Sequence, residues 1–155
     1  MIKVCFVCLG NICRSPMAEA VMRDELKKRG LADQITVDSA ATSSYNLGQP
    51  PHQGTQEILD RHHISSQGQF ASKLTADMAE DFDYIIGMDD SNLDNMAKIL
   101  GDQVKLYQLM DFTDQPGEID DPYFTGNFEL TYDKVKAGVD GLIGYLLANH
   151  SELSD

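Results

Sequence analysis

A cysteine and an arginine stand six residues apart near the start of the chain, in the segment Cys8-Leu9-Gly10-Asn11-Ile12-Cys13-Arg14-Ser15. This spacing arises often by chance, so its meaning depends on the surrounding residues. Cys8 closes an apolar run typical of a buried strand, Gly10 and Asn11 tolerate a positive φ, and a helix is predicted to follow. The N–H groups of such a loop and of the helix N-terminus would form a cradle for an anion. Arg14 would bind two phosphate oxygens, and the same positive field would favour the thiolate of Cys8 as a nucleophile.

Strands and helices alternate along the chain and would position this loop. Apolar, β-branched runs predict four strands, over residues 2–9, 35–41, 84–88 and 104–109. Periodicity and end signals predict helices over residues 15–29, 53–62 and 91–100, a short acidic helix capped by Thr75, and a last helix with an apolar stripe from 128 to 146. Ser15 is the predicted N-cap of the first helix, with Pro16 at its first position. The alternation predicts an α/β fold, a doubly wound parallel sheet with helices on both faces, whose ligand binds beyond the carboxyl ends of the strands.

Length, charge and cysteine content limit the functions that the chain can have. The 155 residues predict a single domain over residues 1–155. The formal net charge is −13, and residues 1–30 hold six of the 12 basic residues but three of the 25 acidic ones. Such a chain should repel nucleic acid and anionic membranes. If it handles an anion, a local group of residues near the N-terminus must bind that anion. All three Cys lie within the first 13 residues, which argues against a disulfide framework and for a reducing, cytoplasmic location.

No pattern in the sequence predicts a metal site. His52, His62 and His63 have no Cys or carboxylate at ligand spacing, and we predict that they are solvated residues of a helix. Cys5 and Cys8 form a C-x-x-C pattern, but their opposite parity on a strand would turn the two side chains to opposite faces. We therefore expect no metal ligands among these residues.

Residues 8–15, followed by Pro16-Met17-Ala18-Glu19, resemble the signature of the low-molecular-weight protein tyrosine phosphatases, in particular their bacterial members. The resemblance covers essentially the whole chain, with further matches at Asp38-Ser39-Ala40-Ala41, Asn46-Leu47-Gly48, Asp83-Tyr84-Ile85, Met88-Asp89 and Asp121-Pro122-Tyr123. It implies a flavodoxin-like, four-stranded parallel sheet of order 2-1-3-4. It also implies hydrolysis of protein phosphotyrosine and small aryl phosphates through a phosphocysteine, without a metal or organic cofactor. The implied partners are tyrosine-phosphorylated proteins, with inorganic phosphate as product and inhibitor and with neither nucleic acid nor membrane.

The resemblance assigns catalytic roles to three residues. It implies that Cys8 is the nucleophile and that Arg14 binds the phosphoryl group and its transition state. Asp121 would protonate the departing phenolate and then activate water, although the neighbouring Asp120 is an alternative for this role.

The resemblance also implies a set of binding residues. Asn11 would hold the loop in a left-handed turn with Ser39 as a candidate partner, and Ser15 would hydrogen-bond the sulfur of Cys8. Cys13 would either form a reversible disulfide with Cys8 or serve as a small residue at the helix start. Three aromatic residues would wall a deep slot that fits a phenyl ring. The predicted binding residues are Leu9, Gly10, Asn11, Ile12, Cys13, Ser15, Tyr45, Tyr123 and Phe124.

Three other functions stay open as alternatives. Phosphoarginine phosphatases share the loop, but relatives of that type carry a small Thr where this chain has Ile12. Thiol-dependent arsenate reduction needs two further Cys downstream, and none follows Cys13. The third alternative is a catalytically silent phosphotyrosine-binding module. The presence of Cys8, Ser15 and Asp121 together argues against it, because a binding module does not need all three. The sequence therefore favours phosphotyrosine hydrolysis.

Overall fold

A four-stranded parallel sheet forms the centre of the computed structural model, which describes residues 1–153. The strands are β1 (Ile2–Cys8), β2 (Ile35–Ala41), β3 (Tyr84–Gly87) and β4 (Tyr107–Gln108). They pair in the order β2-β1-β3-β4, which confirms the predicted order 2-1-3-4. The register sets Cys8 beside Ala41, so that the carboxyl ends of β1 and β2 coincide. In folds of this kind the crevice beyond these ends is where a ligand binds.

Helices connect the strands and cover the sheet. They are α1 (Arg14–Lys28), α2 (Gln53–Arg61), α3 (Met78–Asp81), α4 (Asp90–Leu100), α5 (Pro122–Thr125) and α6 (Phe128–Asn149). A 3-10 helix, Leu109–Phe112, follows β4 directly. Within the part of the chain that the structure describes, no helix has the length and apolar character needed to cross a bilayer.

The side-chain alternation of β1 divides the core into two layers. Ile2, Val4 and Phe6 belong to the layer that α1 and α6 cover. Cys5 and Val7 point to the other face and belong to the layer that α4 covers. The prediction of helices on both faces is thereby confirmed, and β1 is buried from both sides along nearly its whole length.

The predicted start of the first helix is wrong by two residues. The helix begins at Arg14 and its N-cap is Cys13, which makes no side-chain capping hydrogen bond. Ser15 does not cap the helix, because its hydroxyl is hydrogen-bonded to Cys8 and Asn11 instead. The residue that suited a cap on sequence grounds is therefore committed to the loop.

The fourth strand and the short acidic helix also differ from the prediction. β4 covers Tyr107 and Gln108 rather than 104–109, because the end of β3 offers partners to two residues and the chain then enters the 3-10 helix. Asp77, not Thr75, precedes the first residue of α3. The Thr75 hydroxyl donates a hydrogen bond to the Asp77 carboxylate rather than to the helix backbone.

Candidate active site

A pocket of about 290 Å³ opens at the carboxyl end of β1. Most of the predicted site residues line it, namely Cys8, Leu9, Gly10, Ile12, Cys13, Tyr45, Asp121, Tyr123 and Phe124. Asn11, Arg14 and Ser15 are buried and do not belong to the lining. Ser43 and Asn46 complete it, and neither was a predicted site residue. The pocket therefore joins residues 8–15, which we call the phosphate-binding loop after the role predicted for it, to two segments distant in sequence.

Two carbonyl groups of the phosphate-binding loop accept hydrogen bonds from segments outside the loop. The Leu9 oxygen accepts from both the backbone N–H and the hydroxyl of Ser43, at 3.0 and 2.9 Å. The Ile12 oxygen accepts from the backbone N–H of His52 at 2.7 Å. Because these two oxygens are engaged elsewhere, we expect N–H groups of the loop, rather than these oxygens, to face a bound anion.

Asn11 holds the loop in its left-handed turn. Its φ of 56° is a conformation that a non-glycine residue adopts at a cost, so surrounding contacts must support it. The side-chain N–H group donates to Ser15 at 2.7 Å and to Ser39 at 2.9 Å, while the side-chain oxygen accepts from the backbone of Ser72 at 3.1 Å. Ser39 in turn donates to Glu19 at 2.5 Å. These contacts tie the turn to β2, α1 and the segment around residue 72.

The hydroxyl of Ser15 is directed at the sulfur of Cys8. Because the Ser15 oxygen accepts the hydrogen bond from Asn11, its own hydrogen is available for Cys8 Sγ, 3.0 Å away. A donor of this kind stabilises a thiolate more than a thiol, since hydrogen bonds to charged groups are the stronger ones. The Ser15 hydroxyl is therefore placed to donate a hydrogen bond to this sulfur.

Arg14 is buried, with 2% of its surface exposed, and acidic groups hold its guanidinium in place. Nη1 donates to Asp89 at 2.6 Å and to the Ile119 carbonyl at 2.8 Å, and Nη2 lies 3.5 Å from the Asp121 carboxylate. Burial opposes the charge, but the Cys8 sulfur and the two carboxylates together raise the pKa of Arg14 above its ordinary value. Arg14 Nε has no hydrogen-bond partner within the described residues, so this N–H is available to an anion.

The surroundings of the three cysteines differ. Burial raises the pKa of Cys5 above its ordinary value. Burial and the nearby negative charges of Cys8 and Asp121 raise the pKa of Cys13 to about 12. Both thiols are therefore protonated at neutral pH. Cys8 combines a place in the pocket lining with a hydrogen bond to the Ser15 hydroxyl, which makes it the candidate nucleophile.

Asp121 rather than Asp120 faces the pocket. Asp121 is part of the lining and caps α5 by accepting the backbone N–H of Tyr123 at 3.0 Å, whereas Asp120 is exposed and outside the lining. Tyr123 and Phe124 belong to α5 and are 60% and 75% exposed, and Tyr45 is 87% exposed. The three aromatic residues therefore form the rim of the pocket rather than its floor.

Asp89 is part of the site, although the sequence prediction gave it no role. As the N-cap of α4 it accepts from the backbone N–H of Asn92 at 2.7 Å through one oxygen, and it binds Arg14 through the other. Asp is a typical N-cap residue, and Asp89 lies two residues before the predicted helix start at residue 91, so its place near this helix end was predictable. Its second contact was not, because Arg14 lies 75 residues away in the chain.

His52 departs from the prediction of a solvated helix residue. It is the N-cap of α2, and its Nδ1 accepts from the backbone N–H of Gly54 at 3.0 Å. Its ring stacks on Phe128 with a centroid distance of 5.2 Å and meets Tyr123 edge-on at 5.9 Å. His is an unusual N-cap residue, so no local signal in the sequence pointed to this position.

The chain is similar over nearly its whole length to proteins of one described family. The family described as "Low molecular weight phosphotyrosine protein phosphatase" matches residues 3–152. PtpA of Staphylococcus aureus strain MRSA252, a low molecular weight protein-tyrosine-phosphatase, is 48% identical over 149 residues, which cover 95% of each chain. The crystal structure of YfkJ from Bacillus subtilis matches with a TM-score of 0.93 at 42% identity, over 97% of both chains. That of SP-PTP, a low molecular weight protein tyrosine phosphatase from Streptococcus pyogenes, matches with a TM-score of 0.85 at 38% identity, over 97% of this chain and 99% of that one.

Proposed function

Because the chain belongs to the low molecular weight phosphotyrosine protein phosphatase family, we propose that it hydrolyses protein phosphotyrosine and small aryl phosphates through a phosphocysteine on Cys8. The observation that carries this proposal is the presence of Cys8 and Asp121 in the lining of one pocket. Residues 1–155 act as one phosphatase domain in this proposal. Its mechanism consists of two displacements at phosphorus.

In the first displacement the Cys8 sulfur attacks phosphorus. The S–P bond forms while the bond between phosphorus and the phenolic oxygen breaks, and Asp121 donates its proton to that oxygen so that tyrosine leaves as a neutral phenol. The N–H groups of the phosphate-binding loop and the guanidinium of Arg14 bind the remaining phosphate oxygens. The free Nε of Arg14 supports this role, since Nε and Nη2 together form a fork that matches two oxygens.

In the second displacement water attacks the phosphocysteine. Asp121, now a carboxylate, takes a proton from the attacking water, and the P–S bond breaks to release phosphate and the Cys8 thiolate. The Ser15 hydroxyl, 3.0 Å from this sulfur, stabilises the thiolate as it leaves. Inorganic phosphate binds the same loop as the substrate, and we therefore expect it to be a competitive inhibitor as well as the product.

The rim of the pocket supports an aromatic substrate. The side chains of Tyr45, Tyr123 and Phe124 supply ring faces and edges against which a phenyl ring can pack. A phosphoserine side chain is too short to bring its phosphorus to Cys8 past such a rim.

We also propose a cytoplasmic location, because a catalytic thiol works only while it is reduced. Cell fractionation would test that location.

Replacement of Cys8 by Ser tests the nucleophile. We expect Cys8→Ser to lose measurable turnover of p-nitrophenyl phosphate, because a serine hydroxyl is not ionised at neutral pH. The variant should still bind vanadate or phosphate, as calorimetry would show, because the loop N–H groups and Arg14 are unchanged. Cys5→Ala is the matched control: Cys5 lies in the layer that α4 covers, outside the pocket, and its loss should leave turnover intact.

Two results would contradict the proposal. Undiminished turnover by Cys8→Ser would exclude this residue as the nucleophile. Faster hydrolysis of phosphoarginine or phosphoserine peptides than of matched phosphotyrosine peptides would exclude the proposed substrate class. Both measurements use the purified full chain and a colorimetric assay of released phosphate.

A further inference from the structure

His52 connects the phosphate-binding loop to the segment that carries Asp121. Its backbone N–H donates to the carbonyl oxygen of Ile12 at 2.7 Å, which anchors its main chain to the loop. Its ring meets Tyr123 edge-on, at 5.9 Å and 83°, and stacks on Phe128 at 5.2 Å and 20°. We call His52, Tyr123 and Phe128 the aromatic clasp. The catalytic steps proposed above do not use it.

The aromatic clasp is closely packed on the side of α2. A Cβ added at Gly54 would lie 2.5 Å from the Phe128 ring, so this ring occupies space that only a glycine leaves open. Phe128 also packs against a small buried cluster formed by Ala71 and by Ile12 and Cys13 of the phosphate-binding loop. The hydrogen bond from the Gly54 N–H to Nδ1 fixes the orientation of the His52 ring. The clasp is therefore anchored firmly to the phosphate-binding loop and to α2.

The other side of the clasp reaches the general acid. Tyr123 lies two residues after Asp121, and its backbone N–H donates to the Asp121 carboxylate at 3.0 Å. A displacement of Tyr123 therefore displaces a group that orients this carboxylate. Ile119 and Pro122, which lie close to Asp121 in the chain, are buried, and the main chain of Ile119 is hydrogen-bonded to Met88 and Arg14. The ring of Tyr123 is 60% exposed, so its position depends on its contacts with His52 and Phe124.

We propose that His52 is a positioning residue: through its contact with the ring of Tyr123, it keeps the Asp121 carboxylate in the correct position relative to the Cys8 sulfur. The inference rests on the proposed role of Asp121 as the general acid. It assigns no contact between His52 and the substrate, because His52 is not in the pocket lining. Loss of the His52 ring should therefore weaken proton donation to the leaving group more than it weakens phosphate binding.

The dependence of the rate on the leaving group tests this inference. His52→Asn keeps a side-chain oxygen that can cap α2 but removes the ring. We expect kcat/KM for phenyl phosphate, whose leaving group needs a proton, to fall by about tenfold, a fraction of the full effect of a general acid. For p-nitrophenyl phosphate, whose leaving group needs little help, the fall should be less than about threefold. An equal loss for both substrates would indicate a merely structural role and overturn the proposal.

A second substitution separates the ring from the cap. His52→Phe keeps an aromatic ring but loses the acceptor for the Gly54 N–H, so its leaving-group dependence should stay closer to that of the wild type. Equal behaviour of His52→Phe and His52→Asn would overturn the proposal, and the Phe variant remains informative where the Asn variant fails to fold. His63→Asn is the matched control. His63 is exposed with a φ of 58°, which Asn tolerates, and its replacement should leave both rates unchanged.

A double-mutant cycle separates this inference from the proposed function. In an Asp121→Asn background the acid is absent, so His52→Asn should cause no further loss with phenyl phosphate. The same loss in both backgrounds would overturn the positioning role. If Asp121→Asn by itself leaves the phenyl phosphate rate unchanged, the assignment of the acid fails. If Asp121→Asn slows the reaction and His52→Asn does not, only the inference about His52 fails.

Discussion

At the scale of single residues, the hydrogen bonds that support the left-handed turn at Asn11 lead through Ser39 to the buried carboxylate of Glu19. Glu19 is 6% exposed, accepts from Ser39 and is paired with Arg23. Burial raises the pKa of Glu19 above its ordinary value of 4.5, and the Ser39 hydrogen bond and Arg23 offset this only in part. The ionised form of Glu19 is therefore less favourable in the folded protein than in the unfolded one. The contacts that support Asn11 include this buried carboxylate, which lowers the free energy of unfolding at neutral pH.

Replacement of Glu19 by Gln should change how stability depends on pH. A carboxyl whose pKa is raised by folding binds its proton more tightly in the folded state, so folded-state stability falls as pH rises from about 4.5 through the raised pKa. Glu19→Gln lacks this titration and keeps an acceptor for Ser39. We expect its free energy of unfolding, relative to the wild type, to increase across that window and then level off. Urea denaturation at successive pH values measures this, and a constant difference would contradict it.

Glu25→Gln is a control of opposite sign. The hydrogen bond from Arg29, with a smaller contribution from Lys136, holds the pKa of Glu25 below its ordinary value of 4.5 despite some burial. Its stabilising contribution is therefore fully present above about 4.5 and is lost as pH falls through the lowered pKa. Above about pH 4.5, Glu25→Gln should have a lower free energy of unfolding than the wild type, and this difference should shrink as the pH falls.

At the scale of elements, the packing of α6 against the 3-10 helix sets the start of the segment that leads to Asp121. A Cβ added at Gly141 of α6 would lie 2.1 Å from the carbonyl oxygen of Phe112, the last residue of the 3-10 helix. A backbone atom cannot move aside as a flexible side chain can. The close approach of these two elements therefore depends on a glycine at this position. In contrast, a Cβ added at the exposed Gly144 of the same helix would have no atom of residues 1–153 within 4 Å.

Two alanine substitutions in α6 test this dependence as a matched pair. Gly141→Ala should destabilise the protein by about 2 kcal/mol or more, because the added methyl group forces the helix away from Phe112. Gly144→Ala should stabilise it by about 0.5–1 kcal/mol, because alanine is the better helix former and meets no neighbour. Urea and thermal denaturation measure both, and equal effects at the two positions would contradict the packing argument.

At the scale of the whole molecule, the overall charge opposes the approach of an anionic substrate. The net charge is −13, and no Lys or Arg occurs between positions 106 and 133, the stretch that supplies Asp121 and two rim residues to the pocket. In the proposed function, the phosphate-binding loop and Arg14 attract phosphate at short range. At longer range the surface should repel a small dianion and attract a peptide with basic residues.

Salt should therefore act in opposite directions on two kinds of substrate. Raising NaCl from about 10 to about 150 mM shortens the screening length from about 30 to about 8 Å. We expect kcat/KM to rise by about twofold for p-nitrophenyl phosphate and to fall for a phosphotyrosine peptide flanked by lysines. A decrease for both substrates would indicate chloride competition at the loop instead of screening.

The sequence by itself determined the fold and the identity of the loop, because both depend on local patterns. Strand and helix alternation follows from the periodicity of apolar residues, and it placed β1, α1 and α6 correctly to within a few residues. Residues 8–15 are contiguous, so their types and spacing were legible without a structure. The resemblance to a known family rested on the same contiguous segments.

Only the tertiary structure decided which distant residues complete the site. It brought Asp89 to Arg14, put Asp121 rather than Asp120 in the pocket lining, and set His52 against Tyr123. Periodicity shows which face of an element is buried, but it does not show which residues of different elements meet there. Hydrogen bonds and ring contacts form over a few ångströms between groups far apart in the chain, so they depend on how the elements pack.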